Sequence, residues 1–256
     1  MCLVVLALDV SVRYPVIFAA NRDERHARPT QNAGWWRDQP AVFGGRDLIA
    51  GGSWLAIDRA GRLAAVTNLR ETNAKPTVRS RGALVAGYLA GYDPIDGYVA
   101  EVTGQQSDYG PFSLLLFDGA QVAYCSNRAP PMRLGPGIHA LSNAPLGVEW
   151  PKTRTAKGGM HDALESDDPT DALFALLAYR DAQATGDARY RSSLFIDDPI
   201  YGTRSSTVVT LSAQGELVFT ERSFDAHGAL DRETVERIDL PPTVVGATRS
   251  AARNGG

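Results

Sequence analysis

The chain opens Met1-Cys2-Leu3-Val4-Val5-Leu6-Ala7-Leu8, and a second apolar run, Pro15 to Ala20, leads directly into the polar quartet Asn21-Arg22-Asp23-Glu24. Two short runs rich in Val, Ile and Leu, parted by a polar connection, read as neighbouring antiparallel strands. Such a hairpin brings the end of its second strand back beside the start of its first. The quartet therefore falls next to Cys2, and a strand end is where a sheet can project polar groups into a cleft.

Working outward, strands are expected at Cys2 to Leu8, Pro15 to Ala20, Trp54 to Asp58 and Leu63 to Thr67, as adjacent hairpins. Helical spacing follows over Arg81 to Leu89, with Leu84, Val85 and Tyr88 on one face. It recurs over Pro94 to Val102, with Ile95, Val99 and Val102 on one face. Strands return at Phe112 to Phe117, Gln121 to Cys125 and His139 to Leu141, with Asp118-Gly119 as the turn between the first two. Helices are expected at Thr153 to Leu164 and Pro169 to Leu177, the latter capped by Asp168 with Pro169 in its first turn. Strands Thr207 to Leu211, Leu217 to Glu221 and Val235 to Ile238 close the pattern. Strand blocks alternating with helix pairs give an α+β layered domain rather than a parallel βαβ sheet. One domain is expected over 1–245, followed by a polar, Gly-rich, disordered tail over 246–256.

At 256 residues and 44% hydrophobic, the chain can bury a large core. A net charge of −3 with scattered Lys and Arg gives no footprint for nucleic acid or an anionic membrane surface. The opening apolar run stops at Asp9 and has no basic segment before it, so it reads neither as a signal peptide nor as a membrane span. Two cysteines, Cys2 and Cys125, fit a reducing compartment, and a cytoplasmic location is expected. Oligomeric state has no signature.

Cys2 holds a chemically special position. By itself, Met-Cys reads as a small apolar residue opening a strand. Removal of Met1, which small second residues permit, would instead leave a thiol and a free α-amine on one carbon. An α-amine titrates near about 7.7–8.0, which suits a general base at neutral pH. One residue then supplies both nucleophile and base. Asp23 could receive the α-ammonium or orient the thiol, with Asn21 and Arg22 as further members of the same cluster. Asn68 and Asn143 each follow an expected strand, where an amide can donate to a developing oxyanion. Arg204, in Gly202-Thr203-Arg204-Ser205-Ser206-Thr207, precedes a strand and could position a carbonyl or carboxylate. Cys125 is expected to be an inert strand residue.

These residues resemble the NRDE family, also called the transport and Golgi organisation 2 family. The resemblance runs through Met1-Cys2, Asn21-Arg22-Asp23-Glu24, Arg28-Pro29-Thr30, Gly44-Gly45-Arg46-Asp47-Leu48 and Gly51-Gly52-Ser53-Trp54-Leu55. It continues through Thr67-Asn68, Arg81-Gly82, Leu141-Ser142-Asn143 and Tyr201-Gly202-Thr203-Arg204. The family is similar to N-terminal-nucleophile hydrolases, whose cysteine branch includes penicillin V acylase and bile salt hydrolase. The resemblance implies a four-layer αββα sandwich. It implies Cys2 as nucleophile, Asp23 as the acid near the α-amine, Arg204 as the late arginine, and Asn68 and Asn143 around the oxyanion. One position departs. Acylases of that branch carry an early Arg-x-x-Asp, and setting its Asp on Asp23 leaves Ala20 in place of the arginine. Strand alternation sends Arg22 to the face opposite Asp23.

Two functions stand. The first is hydrolysis of a linear, non-peptide carbon–nitrogen amide through a Cys2 thioester, an amidase that needs no cofactor. The second is a carrier on the same scaffold for haem or another apolar small molecule, since the family is also associated with haem trafficking. His26, His139, His161 and His227 have no metal-ligand spacing, and no Cys-x-x-Cys-His is present. Trp35, Trp36 and Trp54 read as core aromatics. The glycine pairs Gly44-Gly45 and Gly51-Gly52 lack the Gly-Lys-Ser/Thr of a phosphate loop. Clustered zinc ligands are lacking as well.

Overall fold

The structure, a computed structural model, describes residues 2–71 and 77–241. The chain forms two compact units that interleave in sequence. The first comprises Met1–Arg28, Pro136–Ser142 and Leu146–Asp239, and the second Pro29–Gly135, Asn143–Pro145 and Leu240–Gly256. The tail 246–256, expected to be disordered, lies outside the described residues.

The strands are β1 (Leu3–Leu8), β2 (Val16–Arg25), β3 (Thr30–Trp35), β4 (Val42–Asp47), β5 (Leu55–Asp58), β6 (Leu63–Asn68), β7 (Phe112–Phe117), β8 (Val122–Ser126), β9 (Met132–Leu134), β10 (Gly137–Leu141), β11 (Tyr201–Leu211), β12 (Glu216–Phe224) and β13 (Leu230–Asp239). The helices are α1 (Gly82–Ala90), α2 (Ile95–Gly104), α3 (Pro151–Leu164), α4 (Pro169–Leu177) and the short α5 (Arg189–Ser192).

In the first unit the sheet order is β10-β1-β2-β11-β12-β13, with every named pair antiparallel. Alternation along β1 and β2 sends Leu3, Val5, Ala7, Ile17 and Ala19 to one face. There they meet Ala156 and Met160 of α3 and Leu173, Phe174 and Leu177 of α4. Helix α4 begins as expected, with the Asp168 carboxylate accepting the Thr170 and Asp171 amides at 2.9 and 3.2 Å.

The second unit is a meander, β3-β4-β5-β6-β7-β8-β9. Alternate residues of β6, β7 and β8 pack with Leu84, Val85 and Tyr88 of α1 and Tyr98 and Val102 of α2. The Asp118-Gly119 turn forms, with Gly119 at φ 96° and the Asp118 carboxylate accepting the Ala120 and Gln121 amides. Each unit is thus a helical layer on an antiparallel sheet, the α+β pattern expected.

Several boundaries differ from the expected ones. β2 does not end at Ala20 but carries the polar quartet to Arg25, because β11 runs alongside it from Leu211↔Val16 to Tyr201↔Arg25. β11 correspondingly starts at Tyr201, six residues before Thr207. The ladder's backbone hydrogen bonds hold these segments extended whatever the polarity of their side chains. Strands β3, β4 and β9 and helix α5 were not expected. β3 is half-exposed and its pairing with β4 shifts register between Gln31 and Gly34, so no clean alternation marks it.

Candidate active site

β1 sets the position of Cys2. Leu3 pairs with Asn21 and Val4 with Ala20, so continuing the register one residue back puts Cys2 across from Arg22. The Ser142 hydroxyl, just beyond β10, donates to the Cys2 carbonyl at 2.8 Å. The chain start is thus tied to both neighbouring strands, with the Cys2 thiol free and partly exposed.

The quartet divides by face. Asn21 lies on the helical face, where its Nδ2 donates to the carbonyls of Leu177 at 2.8 Å and Leu194 at 2.9 Å, and its Oδ1 accepts from Ser206 Oγ at 2.6 Å. Arg22 is buried and paired in register with Ser205. Asp23 is 4% exposed. Its Oδ1 accepts from Thr203 Oγ1 at 2.7 Å, and its carbonyl accepts from the Tyr201 hydroxyl at 2.9 Å. Burial pushes the Asp23 carboxyl up, against the pull of the chain's N-terminal charge, the charge of Lys152, the Thr203 hydrogen bond and the charge of Arg22.

Arg204 occupies the bulge at which the pairing of β11 with β2 shifts between Thr203 and Ser205. Its Nη1 donates to the carbonyls of Arg25, His26 and Arg28 at 3.2, 3.0 and 3.3 Å. In this arrangement Arg204 braces the turn that follows β2.

Asn68 and Asn143 belong to the second unit and are joined there. Asn143 Nδ2 donates to the Asn68 carbonyl at 2.7 Å, while the Asn143 carbonyl accepts from the Arg70 amide at 3.0 Å. Cys125 is an interior residue of β8, 1% exposed, and burial pushes its thiol up. Trp36 is likewise buried, its indole N–H donating to the Gly44 carbonyl at 3.0 Å.

Lys152 was missed by the sequence reading. It lies in the first turn of α3, which starts at Pro151 rather than Thr153, and its side chain is fully buried. The Thr153 hydroxyl fixes that turn by accepting the Trp150 amide at 2.9 Å. Burial pulls the Lys152 ammonium down, opposed by the charges of Asp23 and Cys2. Lysine is among the residues least often enclosed, so composition carried no signal for it.

Within the first unit, then, the buried side chains of Asp23 and Lys152 act electrostatically on one another, and Cys2 acts on Lys152. Among the described residues no group of three or more His, Cys, Asp or Glu could hold a metal ion, and no helix is long and apolar enough to cross a membrane. A groove of about 730 Å³ elsewhere on this unit, lined by residues such as Arg13, Asp168 and Arg222, contains none of the expected site residues.

The family model described as Transport and Golgi organisation 2 matches residues 1–226. The chain belongs to this family. Among the family's curated members, the Transport and Golgi organization protein 2 homolog of Bos taurus is 35% identical over 239 residues, spanning 82% of this chain and 87% of that protein. The Drosophila melanogaster Transport and Golgi organization protein 2 is 24% identical, covering 93% and 98%. Among solved structures, a mutant of the conjugated bile acid hydrolase from Clostridium perfringens aligns with TM-score 0.51 at 10% identity, over 94% of this chain and 92% of that one. This likeness shows that the chain has the N-terminal-nucleophile hydrolase fold.

Proposed function

We propose that the protein is an N-terminal-nucleophile cysteine hydrolase that cleaves a linear, non-peptide carbon–nitrogen amide. The observation that carries this reading is the setting of Cys2 at the start of β1, alongside the polar end of β2 that carries Asp23, on the scaffold of a known hydrolase fold. Removal of Met1 frees the α-amine of Cys2. The thiol proton passes to that amine, and the sulfur forms a bond to the amide carbon. The tetrahedral oxyanion collapses, the carbon–nitrogen bond breaks, and the ammonium returns its proton to the departing nitrogen, leaving a thioester. Water, deprotonated by the same amine, releases the acid and restores the thiol. By the family resemblance Asn68 and Asn143 are the oxyanion donors and Arg204 the late arginine. A reducing compartment such as the cytoplasm keeps Cys2 a thiol.

The test combines three measurements. Intact mass of untagged protein is expected to lack Met1. An acylating amide or lactam probe is expected to add covalently to wild type and not to Cys2→Ala. Both forms are titrated with haem. Retention of Met1 in most molecules, or failure of the probe to react together with equal saturable haem binding by both forms, rejects the hydrolase in favour of a carrier of apolar cargo.

A further inference from the structure

β13 closes one end of the first unit's sheet, and among the described residues β12 is the element packed closely against it. Its ten residues, Leu230–Asp239, therefore present a row of backbone N–H and C=O groups on the side away from β12. The side chains along it are exposed or half-exposed throughout. Such a row is a template for one more strand, and sheets commonly guard it with a proline, a very short edge or charges. This edge is long and holds no proline, so its charges decide what can pair with it.

Those charges divide by face. By alternation Glu233, Val235 and Arg237 share the face that lines the groove beside α4. There Glu233 pairs with Arg222 at 2.6 Å and Arg237 with Glu216 at 3.9 Å, both from β12. Arg232, Thr234 and Glu236 share the other face. On β12, Ser223 stands opposite Arg232 and Phe219 opposite Glu236, so neither charge meets an opposite one directly across that ladder.

A second copy of the same strand, turned antiparallel, offers what β12 does not. Hydrogen-bonded and non-hydrogen-bonded pairs alternate along an antiparallel ladder, so a two-fold axis between identical strands must pass through a residue paired with itself. Centring on Arg232, Glu233, Glu236 or Arg237 sets two like charges face to face. Centring on Val235 sets Arg232 against Ile238, Asp231 against Asp239, and Glu233 against an Arg237 that already has Glu216. Centring on Thr234 opposes no like charges. It sets Arg232 against Glu236 on both sides of the axis, Glu233 against Val235, and the two threonines against each other, a favourable cross-strand pair. Asp231 then falls against Arg237, although Asp231 lies in the bulge where β13 shifts against β12.

We infer that β13 is the docking edge for a second copy of this chain, paired antiparallel about Thr234 so that Arg232 of each copy meets Glu236 of the other. The main chain supplies the attraction, and the charges select partner and register. Two strand edges bury less than the ~1,200 Å² at which standard interfaces begin, so the dimer is a weak one. Nothing in this pairing involves Cys2, so it stands or falls apart from the proposed hydrolysis.

Sedimentation velocity of the full chain tests it. Wild type is expected to show a dimer whose share rises between about 10 μM and 1 mM and falls with added salt. Arg232→Glu sets acid against acid, and Glu236→Arg sets base against base, so each alone is expected to remain monomeric. An equimolar mixture of the two is expected to dimerise, as is the double variant Arg232→Glu/Glu236→Arg. Urea midpoints confirm that each form is folded, and Glu236→Lys replaces Glu236→Arg should the latter fold poorly. A wild type that stays monomeric throughout overturns the pairing and leaves the edge to a different protein. Dimers that survive both single substitutions, or single variants that stay apart when mixed, overturn it as well.

Discussion

The Thr203 hydroxyl donates to Asp23 Oδ1 at 2.7 Å and accepts the Ile196 amide at 2.9 Å, so one side chain on β11 joins the buried carboxylate to the segment leading into that strand. Replacing it with an isosteric valine removes both bonds at once. Because both partners are buried, Thr203→Val is expected to lower stability by about 1–3 kcal/mol, while Thr203→Ser stays close to wild type. Urea unfolding of the three forms checks this. A valine variant within about 0.5 kcal/mol of wild type would mean that the hydroxyl carries no such weight.

Asp23 and Lys152 together predict a stability that depends on pH with a definite sign. Burial raises Asp23 above its usual 3.8, so the folded state holds the proton more tightly than the unfolded one. Stability is full below 3.8 and is lost as pH rises through the folded value. Burial lowers Lys152 below its usual 10.5, so stability is regained as pH climbs from the folded value towards 10.5. The double variant Asp23→Asn/Lys152→Met has neither group. Its stability relative to wild type is expected to be greatest at intermediate pH and to shrink towards 3.8 and 10.5. Each single variant is expected to be less stable than the double, since it leaves one charge buried alone. Unfolding midpoints measured across pH decide it, and a flat difference between double variant and wild type would contradict the burial of two charges.

Gly52 is predicted to resist even a methyl group. A Cβ built there would stand 2.3 Å from the carbonyl carbon of Gly82, at the point where the Ser53 amide donates to the Gly82 carbonyl at 3.2 Å. Backbone on both sides of the contact cannot move aside as a side-chain tip can. Gly52→Ala is therefore expected to lower the melting temperature by an amount equivalent to about 1–3 kcal/mol, the usual cost of overpacking. An unchanged melting curve would show that the two segments part easily.

These glycines also show what the sequence could and could not reveal. Exclusion of a phosphate loop at Gly44-Gly45 and Gly51-Gly52 rested on missing neighbours. The positive reason for the glycines, the Trp54 ring against Gly45 and Gly82 against Gly52, depends on contacts between segments that no local pattern encodes. Elements with a strong period were legible: β1, β6, β7, α1 and α4 all form within two residues of where apolar spacing and caps put them. β3 and β9 were not, because short, half-exposed strands lack alternation. The chemistry divides in the same way. Cys2 and Asp23 could be brought together from hairpin logic alone, since β1 and β2 are adjacent in sequence. Lys152 could not, because its burial arises from the docking of α3 on β10, on α4 and on β1, the last more than a hundred residues earlier.

Asn21 supplies the last prediction, and it separates structural from chemical roles within the quartet. The sequence reading grouped Asn21 with the site, yet its amide is fully engaged: Nδ2 serves the carbonyls at Leu177 and Leu194, and Oδ1 takes the Ser206 hydroxyl. Leu177 is the last residue of α4, which packs on β2 and β11, and Leu194 follows α5, so this one amide satisfies a carbonyl at the end of one helix and another just beyond the next. Asn21→Ala leaves those carbonyls without their donor and is expected to cost about 1–3 kcal/mol. Asn21→Asp is expected to be worse, since a carboxylate would face two carbonyl oxygens and cannot donate to either when ionised. The folded fraction of Asn21→Ala is expected to label at Cys2 at the wild-type rate, because none of these bonds reaches the thiol. Measuring the urea midpoint and the labelling rate on the same sample separates the two roles. Full stability with a labelling rate reduced tenfold or more would place Asn21 among the groups that act on the nucleophile.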